Sequence, residues 1–147
     1  MPTHKQNSRT ERILGRARVA VLVSWGLCLL MACLDAAPTG DPERGKQLYD
    51  TPIKAERGEL QPCSKCHPVG TGQNPTGVGI NLGDIGNRAG NTVKGQSAAD
   101  YLRTSIVDPD AHLAGGFQDG LMSREYKNLL TPQQIEDLVA YLLMLKQ

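Results

Sequence analysis

The run Cys63-Ser64-Lys65-Cys66-His67 constrains this chain more than any other stretch of its 147 residues. Two thiols at i and i+3 leave the same face of a helical turn, and an imidazole follows the second thiol without a spacer. Three chemistries use parts of this pattern. Zinc wants four ligands, yet outside the amino-terminal leader the chain offers only Cys63, Cys66, His67 and His112, and the adjacent Cys66 and His67 make a poor tetrahedral pair. A thioredoxin-type dithiol needs a strand leading into the motif and the support of a helix dipole, whereas the preceding segment, Thr51 to Pro62, is polar, bounded by prolines and reads as a loop. The third chemistry uses every residue. Cys63 and Cys66 add across the two vinyl groups of one porphyrin, and His67 lies beneath the ring with a nitrogen for iron, which is the c-type haem attachment signature.

A chain of this length fits one domain once a targeting segment is removed. Aromatic residues make up only 4% of it, so a bound group is expected to fill part of the core. The formal net charge of +1 hides an uneven distribution. Lys5, Arg9, Arg12, Arg16 and Arg18 stand against Glu11 in the first 32 residues, which leaves the remainder weakly acidic. A nucleic-acid partner is excluded on this ground, because phosphate binding needs a clustered basic face.

The basic amino terminus is followed by an uncharged apolar run of sixteen residues, Val19 to Leu34. This reads as an export signal and falls short of the roughly 20 residues that a membrane span requires. Cleavage behind a small-x-small triplet is poorly supported at Ala36 or Ala37. The stretch Leu30-Met31-Ala32-Cys33 resembles the bacterial lipoprotein box, which implies cleavage before Cys33 and acylation of that cysteine. The alternative is an uncleaved anchor helix with Cys33 as a buried thiol. Either way the body is expected on the extracytoplasmic or periplasmic face of the cell membrane. The expected organisation is a lipoprotein-type signal peptide over 1–32, a lipid-anchored tether over 33–40 and one domain over 41–147.

Within that domain Asp41 and Pro42 start a helix as N-cap and first position. Ser97 with Asp100, and Thr131 with Gln134, have the spacing of capping boxes and start two more. Ile135, Leu138, Val139, Leu142 and Leu145 form one apolar stripe on the last helix. From Pro68 to Gly95 glycine recurs too often for regular structure, so this stretch is expected to wrap around something as a loop. No alternating strand pattern is visible.

A haem iron that carries electrons takes a sixth ligand, and methionine sulfur favours its reduced state. Met1 and Met31 fall in the leader, and Met144 falls inside the last helix, where it is expected as core filler. Met122 stands in a loop between Gly120 and that helix, from which the chain can return over the far face of the ring. His112 is the alternative ligand.

Four segments, CSKCH, NLGDIGNRAG, GLMSREY and LTPQQIEDLVAYLLML, occur in the order and roughly the spacing of class I monohaem cytochromes c, which the chain resembles from Asp41 to Gln147. The resemblance implies an all-α fold, a small helical domain wrapped around one covalent haem c. It also implies thioethers at Cys63 and Cys66, His67 as proximal ligand, Met122 as distal ligand and Arg88 paired with a haem propionate. Tyr101 and Tyr126 match aromatics near the ring edge. Three departures stand out. Ile80 replaces a proline whose carbonyl orients the proximal histidine, so that bond is expected from a nearby backbone carbonyl. Ser123 replaces a proline behind the methionine. Roughly ten extra residues, Thr51 to Pro62, precede the motif and read as a tolerated surface insertion, with a partner contact as the alternative.

The function implied is one-electron transfer without catalysis. The carboxy-terminal half is most similar to cytochrome domains of respiratory or photosynthetic complexes, such as those fused to haem-copper oxidase subunits and the lipoprotein subunit of alternative complex III. The partners implied are other subunits of a quinol-oxidising membrane complex and redox proteins, with the membrane reached through the lipid. The alternatives are a tethered electron shuttle and a haem enzyme or gas sensor with an open distal site.

Overall fold

The structure, a computed structural model, describes residues 39–55, 58–71 and 78–147. The leader, Cys33 and most of the tether lie outside the described residues. Helix α1, Pro42–Asp50, begins as its sequence dictates: Asp41 accepts hydrogen bonds from the N–H groups of Glu43 at 2.9 Å and Arg44 at 3.2 Å, and Pro42 occupies the first turn. Its buried face is Gly45 and Tyr49, one turn apart.

That face crosses the last helix, which is numbered α6 below and spans Pro132–Met144. The crossing is close because it is built on glycine. A Cβ added at Gly45 would lie 2.0 Å from the carbonyl oxygen of Asp137, and one at Gly40 would lie 2.0 Å from that of Glu136. Tyr49 then meets Tyr141 edge to face, with ring centroids 5.3 Å apart. Asp137 is buried at the same crossing, only 2% exposed. Its carboxylate accepts from the Asp41 N–H at 2.7 Å, from Nε and Nη2 of Arg44 at 2.8 and 3.0 Å, and from Gln133 at 2.9 Å. Both carboxylate oxygens thereby have partners, which offsets the cost of burying the charge.

The segment between α1 and the cysteine motif is not the irregular loop that its polarity suggested. Strand β1, Ile53–Ala55, pairs antiparallel with β2, Gly58–Leu60, in the register Ile53 with Leu60, Lys54 with Glu59 and Ala55 with Gly58. Each strand is three residues long, too short for alternation to register in sequence. Cross-strand pairing supplies what periodicity cannot: the apolar pair Ile53 and Leu60 packs against the core, and Lys54 stands opposite Glu59. Gly58 has φ 133°, a conformation that side chains rarely adopt.

One helical turn follows, α2, Cys63–Cys66. The glycine-rich stretch after it contains a helix that the sequence reading missed, α3, Ile85–Thr92. Gly86 serves contact rather than flexibility. A Cβ at Gly86 would lie 2.4 Å from the Leu143 carbonyl, and the Gly86 N–H donates to the Leu145 carbonyl at 2.8 Å. Helix α4, Ala98–Val107, is capped by Ser97, whose oxygen accepts the Asp100 N–H. After a long loop come the short α5, Tyr126–Leu129, and α6, whose Thr131–Gln134 capping box is formed in both directions.

Leu138, Val139, Leu142 and Leu145 of the expected stripe are buried and Ile135 is half-buried, so α6 forms the spine of the core with Tyr49, Ile85, Leu102 and Ile106 around it, whereas Met144, expected as core filler, is exposed because it falls on the solvent side of the last turn. The domain is helical apart from the hairpin, as the all-α expectation has it. Among the described residues no helix is long and apolar enough to cross a membrane.

Candidate functional site

Between α2, α4, α5 and the loop that precedes α5 lie two adjoining cavities of about 100 and 340 Å³, whose shared walls include Cys63, His67, Ile80, Tyr101, Met122 and Tyr126. The larger alone is within the roughly 300–1,000 Å³ range of cofactor sites.

Helix α2 builds one wall. Pro62 precedes it in extended conformation, and the turn closes through the His67 N–H to the Cys63 carbonyl at 2.9 Å. Cys63 faces both cavities and Cys66 the larger one. The carbonyl of His67 accepts the hydroxyl of Tyr49, which ties the motif to α1. Burial raises the Tyr49 hydroxyl far above its ordinary pKa, so it stays a donor.

The His67 ring is set from the other side. Its Nδ1 lies 3.0 Å from the carbonyl oxygen of Ile80. A carbonyl only accepts, so Nδ1 carries the hydrogen and Nε2 is left with its lone pair. Burial holds this imidazole below its ordinary pKa, against the opposing pull of the Ile80 carbonyl. The neutral form, the one able to ligate a metal, is therefore favoured. The backbone carbonyl expected in place of the missing proline is that of Ile80 itself. Gly79 beside it leaves room for the ring: a Cβ there would lie 2.6 Å from His67 Cε1. The segment is pinned by the Leu82 N–H on the Pro68 carbonyl and by Asn81 Nδ2 on the Gly70 carbonyl, both at 2.8 Å.

Met122 lines both cavities and packs on the core. Tyr126, four residues later, donates to the Gln61 carbonyl at 3.0 Å and joins the methionine side to the entry of the cysteine motif. His112 also reaches the larger cavity, where it stacks on Tyr101 with centroids 6.4 Å apart and planes at 28°. Both distal candidates are thus brought to the same space.

Arg88 is not brought there. It lines neither cavity, and its guanidinium binds Asp84 at 2.7 Å and the Asn81 carbonyl at 2.6 Å. Cys33 lies outside the described residues. The sequence reading gave Tyr49 no role beyond composition, and it passed over Gly79 and Asp110. A tyrosine that donates to a backbone carbonyl, or a glycine that clears a ring, has no signature along the chain.

The donor set fits haem c. Two sulfurs stand three residues apart, an imidazole nitrogen is unprotonated and held in place, a thioether shares the same cavity, and the remaining walls are mostly apolar side chains such as Leu102, Ile106 and Leu138. Among the described residues no group of three or more His, Cys, Asp or Glu is placed to hold a metal ion by itself.

The family match agrees with this chemistry. The family model described as cytochrome c matches residues 42–146. No curated protein matches the chain. Among solved structures, the crystal structure of SoxXA from P. pantotrophus is similar with a TM-score of 0.48 at 24% identity, over 79% of this chain and 88% of that one. With a family match that runs from the first residue of α1 to the penultimate residue of the chain, the protein belongs to the cytochrome c family and carries covalently bound haem c for electron transfer.

Proposed function

We propose that the protein is a membrane-anchored one-electron carrier in which His67 and Met122 would both ligate the haem iron, so that the iron would serve electron transfer rather than bind a substrate. The observation that carries this reading is that His67 and Met122 wall the same pair of cavities. When bound, haem c supplies a one-electron iron couple. The chain does the rest. Cys63 and Cys66 fasten the group, His67 presents Nε2 from a ring locked by the Ile80 carbonyl, and Met122 offers a sulfur that favours the reduced state. Apolar walls from α4 and α6, among them Leu102, Ile106, Leu138 and Leu142, would limit the access of water to the group.

Acylated Cys33 is the anchor in this reading, supported by the resemblance of Leu30 to Cys33 to a lipoprotein box and by the shortness of the apolar run. The tether to Asp41, at about 3.3 Å per residue, restricts the domain to a few tens of ångströms from the bilayer. That reach suits delivery within a membrane complex that oxidises quinol, whose other subunits are the proposed partners.

Replacement of Met122 by His tests the ligand assignment. Imidazole donates more strongly to oxidised iron than thioether does, so the reduction potential should fall by on the order of 0.1 V, part of the roughly 0.8 V span that axial ligands set. His112→Ala should leave it near the wild-type value. An unchanged potential in Met122→His removes Met122 as ligand. Intact mass of the membrane fraction tests the anchor: a chain that begins at Cys33 with added lipid and one haem is required, and an amino terminus at Met1 or near Pro38 rejects it.

A further inference from the structure

We propose that Asp110 is the positioning residue of the loop that carries Met122. Its Oδ1 accepts the N–H of Gly120 at 2.8 Å, and its Oδ2 accepts from Nε of Arg124 at 2.5 Å, with Nη2 of the same guanidinium in ion-pair contact at 2.5 Å. One carboxylate therefore fastens the loop two residues before Met122 and two residues after it. The Asp110 side chain is 15% exposed and that of Arg124 62%, so the carboxylate is the inner hub and the guanidinium closes over it from the solvent side.

The loop needs such a tie. Between the end of α4 at Val107 and the start of α5 at Tyr126 there is no helix or strand. Gly116 and Gly120 turn the chain with φ of 90° and 73°, and the backbone bonds from Ala111 to Asp108 and from Phe117 to Ala114 close only local turns. A stretch held in this way opens at low cost. Asp110 instead bridges ten residues to Gly120 and fourteen to Arg124. It stands just past the end of α4, which packs on α6, so the bonds refer the loop to the rigid part of the fold. An exposed ion pair alone contributes little. What sets this one apart is the second bond, to a backbone N–H, and the placement of the two bonds on either side of the thioether.

The inference rests on Met122 as the distal ligand, because Asp110 acts through it by setting how readily the sulfur leaves the cavity. The test is titration of the ferric holoprotein with imidazole, which competes for the position Met122 holds, followed in the visible spectrum together with the sulfur-to-iron charge-transfer band. Met122→Ala should bind imidazole far more tightly than wild type. Asp110→Ala should bind it about tenfold more tightly, the loss of two modest hydrogen bonds, with a weakened charge-transfer band and faster hydrogen exchange at the Gly120 N–H. Asp110→Asn should fall between, since its amide oxygen still accepts from Gly120 while the charge opposite Arg124 is gone. Asp50→Asn, which breaks a surface pair with Lys46 on α1, should match wild type.

If Met122→Ala binds imidazole no better than wild type, the ligand assignment fails and this inference falls with it. If Met122→Ala opens the site while Asp110→Ala does not, the inference alone is overturned. Should Asp110→Ala yield no folded holoprotein, Asp110→Asn and Arg124→Ala decide, and wild-type affinity in both rejects the role.

Discussion

Nδ1 of His67 lies 3.0 Å from the carbonyl oxygen of Ile80, while the carbonyl of His67 itself accepts the hydroxyl of Tyr49. One residue is thereby fixed at its ring by the segment after the motif and at its backbone by the first helix. The orientation of the Nε2 lone pair is thus a property of three separate chain segments. The acceptor is a main-chain carbonyl, so the residue that supplies it needs no particular side chain.

Gly79→Ala should disturb that arrangement selectively. The new methyl carbon would lie 2.6 Å from Cε1 and 2.7 Å from Nδ1 of His67, so the ring has to turn or the Ile80 carbonyl has to retreat. We expect holoprotein with haem still attached but with altered low-spin ferric electron paramagnetic resonance parameters and a shifted potential. Ile80→Ala keeps the carbonyl and should leave both near wild type. Identical spectra for Gly79→Ala and wild type would disprove the steric argument.

Gly45→Ala should be among the most damaging single-methyl changes in the domain. Its Cβ would overlap the Asp137 carbonyl and the Tyr141 side chain, at 2.0 and 2.8 Å, so α1 must lift from α6. Overpacking of this kind costs about 3 kcal/mol or more, read as a lower denaturation midpoint of the holoprotein. Gly95→Ala, where nothing lies within 4 Å but φ is +89°, should cost about 1 kcal/mol through backbone strain alone.

Asp137 gives the fold an acid limit. The Arg44 guanidinium, helped by the Asp41 N–H and Gln133, holds its carboxyl down to about 2, against the opposing effect of burial. A carboxylate whose folded pKa lies below its unfolded value near 4 stabilises fully above about pH 4, and this contribution is lost as pH falls towards about 2. With a discount for the solvent-facing Arg44, it amounts to about 1–2 kcal/mol. Asp137→Asn should be less stable than wild type at neutral pH and should show a flatter loss of stability across that window. Parallel acid denaturation curves for the two proteins would contradict the assignment.

Covalent attachment is checked by extraction. Wild-type protein should retain haem through acid acetone, and the Cys63→Ala/Cys66→Ala pair should lose it and accumulate poorly, because a small domain deprived of its largest apolar core element buries too little surface. Release of haem from the wild type would refute the thioethers.

The sequence by itself determined whatever depends on neighbours within about four residues. Asp41 with Pro42, Ser97 with Asp100, and Thr131 with Gln134 announce three helix starts, and each forms, because a cap is a hydrogen bond between a side chain and its own first turn. Cys63, Cys66 and His67 announce the cofactor for the same reason, since their spacing is the chemistry. The short hairpin and α3 were not legible. Three-residue strands carry no period, and the glycines of α3 look like loop residues until Leu143 and Leu145 are seen against Gly86. Only the tertiary structure decided that the Ile80 carbonyl orients His67, that Gly45 lets α1 sit on α6, that Asp137 is buried beneath Arg44, and that Asp110 reaches Gly120 and Arg124. These are contacts between backbone atoms or between residues ten to ninety-six positions apart, and distance along the chain hides them until packing removes it.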